Sequence, residues 1–594
     1  MITKIYRTMK WMLFASLFTF QFALLTSCND FLDIQPMNEV VLENYWKQKS
    51  DVVSVMNACY ESLESDDALT RMMVWGELRS DNLKEGANIQ NDFREILKES
   101  LLPSNPYCNW AKFYECINRC NTVCHYAPEV QAIDPNYTEA EMKAHVAEAT
   151  TLRALAYFYL IRTFRDVPYS TEPSIDDTQT YVIAATPFDQ VLDTLITDLE
   201  SIKDDAVRRY YVDESNNAYQ NSARITRWAV YALLADLYLW KGDWDKSIDY
   251  CDKVIAYKQQ QYQEMVAREG NVNNIDLIKG IPMILEKPVG STNCGNAYNE
   301  IFGTGHSFES LFEFPYGSPN PNNGLVSSYY MNSNNLQQEN TGNIKANDKI
   351  YKLGDDKGVF SQRFDSRWYQ NLVESGSSYG ITKYAYSTLE IKGTSGGIER
   401  TSESTMRGNN STQPNWILYR YSEVLLFEAE ANIMMAKSVH PSGADSLALS
   451  DSLNTLLNNA FKLIDAVNKR SLGFIDDPGV SKPFNPDVLD ASKYTSVAAM
   501  EKLVFQERRR ELMFEGKRWF DLVRMARRDG NQDNLLSFLS NKHSQNVFSA
   551  VKIKLKDPYA MYFPLHRDEV RNSQGCLKQN RAYDDKEEVT MATH

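Results

Sequence analysis

RWAVYALLADLYLWKGDWDKSIDYCDKVI, Arg227 to Ile255, decides the fold. Apolar and small residues recur at helical spacing as far as Lys241, Gly242-Asp243 interrupts the pattern, and a second amphipathic helix follows. Ala235 stands at the crossing point, where a small side chain lets the two helices approach closely, with Tyr238 and Leu239 after it. Working outward, a second unit is split. VAEATTLRALAYFYLIRTFRDVPY begins at Val146, and after an insertion PFDQVLDTLITDLESI begins at Pro187, a residue suited to a helix's first turn. Two further helical pairs lie near the C-terminus. RYSEVLLFEAEA, from Arg420, leads through a polar break into LNTLLNNAFKLIDAVNKR, and ERRRELMFEGKRWFDLVRMAR begins at Glu507. In the last, Leu512, Gly516, Trp519, Phe520 and Val523 fall on one face of a continuous helix. Pairing of Glu507 with Arg510, Arg508 with Glu511 and Arg518 with Asp521 makes the Arg-rich run a solvated or ion-paired face and not an anion site.

The Arg227–Ile255 unit resembles one tetratricopeptide (TPR) repeat, and the four pairs predict a mostly α fold on a TPR-like scaffold. From Gly290 to Pro414 the texture changes. Helical periodicity disappears, and clusters such as SPNPNNG, NSNNLQQENTGN and SGSSYG alternate with aromatic residues. A structureless loop of that length would be unusual in a compact domain, so irregular structure with short strands is expected. It would display Tyr298, Phe308, Tyr316, Tyr329, Tyr330, Trp368, Tyr369 and Tyr379.

The N-terminus reads as a targeting signal. A basic stretch (MITKIYRTMK) precedes an apolar run from Trp11 to Leu25, and Leu25-Thr26-Ser27-Cys28 follows. The run is shorter than the roughly 20 residues of a bilayer span, so residues 1–27 are a lipoprotein signal peptide and Cys28 is the lipidated residue. Acyl chains on Cys28 would hold the protein on a membrane without spanning it. The chain has 594 residues and a net charge of −15, which becomes −18 when Lys4, Arg7 and Lys10 leave with the signal. That acidity repels phosphates and argues against nucleic acid as a partner. Among the other cysteines, Cys116, Cys120 and Cys124 recur every four residues in a helical stretch. With no C-x-x-C pair beside them they read as a buried apolar stripe and not as a metal site.

Taken together, these pieces resemble the SusD/RagB family of outer-membrane lipoproteins of Bacteroidota. The resemblance is carried by Cys28 followed by DFLDIQP, WGELRSDN from Trp75, LRALAYFYLIRTFRDVPY, the Arg227–Ile255 unit, FESLFEF from Phe308, ILYRYSEVLLFEAEA, RRRELMFEGKRWFDLVR and YFPLHRDEVRNSQGCLKQN, in that order. It implies four TPR-like units opposite a loop-rich, ligand-capturing face. It divides the chain into 28–289, with two TPR-like units, and 290–594, with the insert (290–414) and two more. It also implies a place on the outer membrane facing the cell exterior, and a SusC-type TonB-dependent transporter as partner. The cargo would be an oligosaccharide, with a RagB-like peptide ligand as the alternative.

Sugar capture needs flat aromatic faces for the apolar side of a pyranose ring and amide, carboxylate or guanidinium groups for its hydroxyls. The candidate contacts are Tyr316, Tyr329, Tyr330, Trp368 and Tyr369 in the insert, with Trp75, Arg79, Asp81 and Asn82 as a second cluster. Neither catalysis nor a cofactor is expected. Gly393 to Gly397 fits G-x-S-x-G around Ser395, but that motif demands a strand, a sharp turn and a helix, and a polar loop follows it here. Glu309 and Glu313 could imitate a glycosidase pair and read by default as surface carboxylates. A pure TPR scaffold for protein partners would leave the aromatic insert without a purpose.

Overall fold

The protein is described here from a computed structural model covering residues 45–584 except 87–88, 176–181, 212–218, 271, 273, 287–294, 318–322, 331–342, 352–358, 361–363, 376–377, 395–396, 408–413, 440–446 and 473–487. The signal peptide, Cys28 and Ser395 lie outside the described residues. The fold is mostly helical. Its principal helices are α1 (Lys49–Glu64), α2 (Ala111–Ile133), α3 (Glu139–Phe164), α4 (Phe188–Ile202), α5 (Arg227–Lys241), α6 (Trp244–Glu269), α7 (Tyr421–Val439), α8 (Leu447–Leu472), α9 (Val497–Leu512) and α10 (Arg518–Asp529). Neighbours in sequence pack in space: α2 on α3, α3 on α4, α5 on α6, α7 on α8. No described helix is long and apolar enough to cross a membrane.

The α5–α6 turn forms as its residues dictate. Gly242 ends α5 in the left-handed region (φ 83°), which costs glycine nothing, and Asp243 caps α6 by accepting from the Lys246 N–H. Ala235 is fully buried, and Ser247 on α6 donates to its carbonyl at 2.9 Å, so the helices do meet at that small residue. In α2, Cys116 and Cys120 are buried in one stripe with Phe113, Ile117 and Val123, their sulfurs 3.8 Å apart.

The Arg-rich segment differs from the sequence expectation. It is two helices, because Met513 to Lys517 break it, with Phe514 at φ 66° and Gly516 at φ 72°. Its charges are buried and not solvated. Glu507 does hold Arg510 at 2.6 Å, but Arg508 pairs with Asp521 at 2.7 Å and Arg518 with Asp81 at 2.9 Å. Local spacing proposes partners three or four residues away, whereas burial lets any segment folded against the helix supply them.

Between the helical groups lie short antiparallel strand pairs. β1 (Leu83–Glu85) pairs with β3 (Ile344–Ala346), and β2 (Ser310–Phe314) with β4 (Trp416–Arg420). The insert is locked to the helices by a buried ion network. Arg367 meets Asp365, Glu507 and Glu511 at 2.7–2.9 Å; Arg420 meets Glu511 and Glu515; Arg470 meets Glu511 and, at 3.3 Å, Glu309; Lys383 meets Glu515. Burial works against every charged form here. The three guanidiniums outweigh it at Glu511, whose carboxyl is held well below the usual carboxylate range.

Candidate ligand-binding cleft

The structure brings the expected cluster at Trp75 together, as an internal joint. Trp75 donates its indole N–H to the Tyr107 carbonyl at 2.8 Å and packs on Phe113 and Phe164. Arg79 holds Glu99 and donates to the Ala560 and Met561 carbonyls at 2.7 Å, its guanidinium 4.2 Å over the Trp519 ring. Asp81 pairs with Arg509 and Arg518, and Asn82 bridges Glu77 and Arg509. None of the four is more than 1% exposed, so they fasten the N-terminal segment to α9, α10 and the C-terminal tail and offer no surface to a ligand. Burial alone would raise the Asp81 carboxyl, yet Arg509 and Arg518 bring it down to about 2, as in a structural ion pair.

Most of the insert's aromatic candidates are also corrected. Tyr316, Tyr330 and Trp368 are buried. The Tyr316 hydroxyl donates to the Glu64 carbonyl at 2.9 Å and the Tyr330 hydroxyl to the Phe514 carbonyl at 2.6 Å, so both act as pegs into the helical body. Tyr329 and Tyr369 are half-buried, Tyr329 stacking on Phe93 (4.6 Å between centroids) and Tyr369 lying edge-on to Trp368. Glu309 and Glu313 are wholly buried, contrary to the surface reading, Glu309 against Arg470 and Glu313 against His306 at 2.8 Å. Gly397–Arg400 is a strand, pairing with Ile391–Thr394, where a nucleophile elbow would require a helix.

An open cleft of about 760 Å³, within the 300–1,000 Å³ usual for ligand pockets, lies elsewhere. Its wall is α2 (Trp110 just before it, then Tyr114 and Asn118) with Tyr157 of α3, its rim is the 168–174 connection after α3, and the short helix Arg567–Asn572 closes the far side. The rings interlock: Trp110 meets Tyr114 at 5.4 Å and 65°, and Tyr114 meets Tyr157 at 6.1 Å and 89°. Each phenol is tied to the rim, Tyr114 donating to the Pro168 carbonyl at 2.7 Å and Tyr157 to that of Ser170 at 2.9 Å. Asn118 and Asn121 hold the same rim, Asn118 accepting from the Ser174 N–H and Asn121 donating to the Ser170 and Glu172 carbonyls. Of the three rings Tyr114 alone is part-exposed; Trp110 and Tyr157 are buried behind it and hold it in place, so little side-chain entropy remains to be lost on binding. Glu172, Glu569 and Asn572 supply polar groups at the mouth, and among the described residues no Lys or Arg lines the cleft. The sequence signal was present in the aromatic and Asn positions of WAKFYECINRCN. The buried stripe read from the cysteines is one side of α2, and Tyr114 and Asn118 project from the other.

Two family descriptions match: "SusD family" over residues 308–583 and "Starch-binding associating with outer membrane" over residues 30–239. The chain is 23% identical over 527 residues to SusD-like protein P38 of Formosa agariphila, covering 84% of this chain and 88% of that one. It is 22% identical over 539 residues to a SusD-like protein of Bacteroides ovatus, covering 87% and 83%. Among solved structures it shares its fold with a SusD superfamily protein of Bacteroides vulgatus (TM-score 0.61, 15% identity, 91% of this chain and 100% of that one). It shares it too with surface glycan-binding protein A of Bacteroides thetaiotaomicron in complex with laminarihexaose (TM-score 0.59, 18% identity, 90% and 100%). With two family models in succession along its length, and this mostly helical fold, the chain belongs to the SusD/RagB family.

Proposed function

We propose that the protein captures oligosaccharide at the outer membrane without cutting it, on the cleft whose part-exposed wall is Tyr114 and Asn118, backed by the buried rings of Trp110 and Tyr157, and delivers it to a SusC-type TonB-dependent transporter. The observation that carries this reading is the cleft, where the rigidly held Tyr114 ring stands beside amide and carboxylate groups, the pairing a pyranose ring requires. A protein of the same fold bound to laminarihexaose supports the ligand class, and a family described as starch-binding and associating with the outer membrane supports the location. In this reading Cys28 carries the lipid, the body faces the cell exterior, and the half-buried Tyr329 and Tyr369 are secondary contact points on the insert.

Calorimetry of the purified chain against a set of neutral oligosaccharides tests the proposal. Tyr114→Ala removes one stacking ring and is expected to cost about 1 kcal/mol, roughly a five-fold rise in Kd, whereas Tyr114→Phe keeps the ring and binds nearly as well as the native protein. An unchanged Kd in Tyr114→Ala would move the site off this cleft, and peptide binding in place of any oligosaccharide would replace the ligand class. For the anchor, Cys28→Ala is expected in the soluble fraction of cells whose native protein sediments with membranes. Continued sedimentation, with no fatty acid on the native protein, contradicts lipidation.

A further inference from the structure

A second cleft, of about 470 Å³, opens between the C-terminal half of α6, the Asn221–Trp228 approach to α5 and the His306–Leu311 approach to β2. Its character is opposite to the first. Among the described residues the first is lined by the acidic groups Glu172 and Glu569 and by no basic side chain, whereas the second carries Arg209, Lys258 and Arg268, with Glu264 in its lining and Glu269 paired to Arg268 at 2.7 Å. On a chain of net charge −15 this is a local reversal of sign.

Lys258 makes the reversal costly. It is 3% exposed, and its ammonium donates to the Phe308 carbonyl and, at 3.3 and 3.4 Å, to Gln261 Oε1 and the Ser310 carbonyl, all of them neutral acceptors. Buried cations are ordinarily paired with an anion, and this chain pairs Arg367, Arg420, Arg470 and Lys383 in that way. Burial brings the Lys258 amine down to about 7; Glu309 opposes this and Arg209 adds to it, the behaviour of a cation short of countercharge. Beside it Trp228 and Tyr257 stack almost parallel, 3.9 Å between centroids, as a flat wall, with the Arg209 guanidinium 6.0 Å over the Tyr257 ring. Arg209 is held by the Tyr257 side chain and by long contacts to Glu264 at 3.4 and 3.5 Å, so it can turn to a stronger acceptor.

We propose that this second cleft binds the carboxylate or sulfate of an anionic saccharide unit, with Lys258 and Arg209 facing the anion and the Trp228–Tyr257 pair beside the sugar ring. The saccharide part of the assignment rests on the capture function proposed above; the anion part rests on the cleft alone. Calorimetry on the whole chain would compare a uronic-acid oligosaccharide, a sulfated oligosaccharide and a neutral one. At least one anionic oligosaccharide is expected to bind more tightly than the neutral one, to weaken as salt is raised, and to lose about tenfold in affinity in both Lys258→Met and Arg209→Gln; which of the two binds identifies the anion. Neutral binding, sensitive to Tyr114→Ala, is expected to survive both variants. If Lys258→Met loses neutral binding as well, its fold is damaged and the Arg209→Gln result decides. Anionic oligosaccharides binding no better than neutral ones, or binding Arg209→Gln as tightly as the native protein, overturns the proposal. Equal binding of an acidic peptide, lost in the same variants, overturns its saccharide part. If neutral oligosaccharides fail to bind while anionic ones bind and respond to Arg209→Gln, the first cleft's role falls and this assignment stands.

Discussion

Glu511→Gln is expected to destabilise the protein by about 3–5 kcal/mol, the cost of removing one charge from a buried ion cluster and leaving its partners uncompensated. Glu511 is the hub of that cluster. It receives Arg367 from the insert at 2.9 Å, Arg420 from the end of β4 at 2.5 Å, and Arg470 from the end of α8, and all four side chains are almost wholly buried. Glutamine keeps the shape and one acceptor oxygen but leaves the three guanidiniums to share Glu309, Glu507, Glu515 and Asp365 with Lys383 and Arg510, five cations on four carboxylates. Chemical unfolding of native and variant protein measures the loss, and a difference below about 1 kcal/mol would show that the cluster is not a tightly held buried unit. The same charges set an acid limit. Glu511 is depressed, and Glu515 is brought to about 2 by Arg420 and Lys383 against burial, so both contribute stability that is present above the ordinary carboxylate range and lost as pH falls through their folded values. Acid unfolding below about pH 4.5 is therefore expected, and less steeply in Glu511→Gln. Because Arg367, Lys383 and Glu309 belong to the insert, loosening the hub should appear first as faster hydrogen exchange between Ser310 and Arg420.

Gly76→Ala is expected to be as damaging by a different route. Gly76 lies in the π-helical turn Val74–Leu78, and a Cβ on it would stand 1.7 Å from the Gly516 carbonyl oxygen and 2.5 Å from its carbon. Both obstacles are backbone, so no rotamer change relieves them. Gly516 is itself held at φ 72°, and Glu77 accepts from the Lys517 and Arg518 N–H groups beside it, so the two segments cannot part without breaking the joint. The cost should reach or pass the upper end of ordinary overpacking, about 3 kcal/mol. Gly270→Ala serves as the control. Its φ is 75° but no atom stands within 4 Å of the new Cβ, so only backbone strain of about 1–2 kcal/mol is expected. Equal effects at the two sites, measured by denaturant midpoints, would mean that conformation and not the close approach governs Gly76.

The joint also accounts for what reading the chain could and could not see. WGELRSDN and ERRRELMFEGKRW stand out as motifs because each is dense in charged and aromatic residues. They are one object in space: Gly76 against Gly516, Asp81 against Arg509 and Arg518, Arg79 over Trp519. Charged and aromatic residues supply recognition surfaces and buried ion networks alike, so composition alone pointed Trp75, Arg79, Asp81 and Asn82 toward ligand when they hold the fold. Tyr316 and Tyr330 were misread for the same reason, since a phenol whose hydroxyl reaches a scaffold carbonyl looks, in sequence, like one that faces solvent. Tyr114 and Asn118 share a helix with a buried cysteine stripe and yet line an open cleft.

What the sequence by itself determined is local and periodic. The helix pairs, the Gly242-Asp243 turn with its left-handed glycine and aspartate cap, the cysteine stripe of α2 and the loss of helical period after Gly290 all follow from side chains within a few positions of one another, where 3.6-residue spacing and φ preference act directly. The tertiary structure alone decided which aromatic residues face water, which Arg meets which carboxylate, and where the two clefts open. Those outcomes depend on groups hundreds of residues apart, such as Arg79 with Met561 or Tyr330 with Phe514, and on desolvation, which changes the worth of a charge or a hydroxyl by several kcal/mol according to a burial that no local pattern specifies.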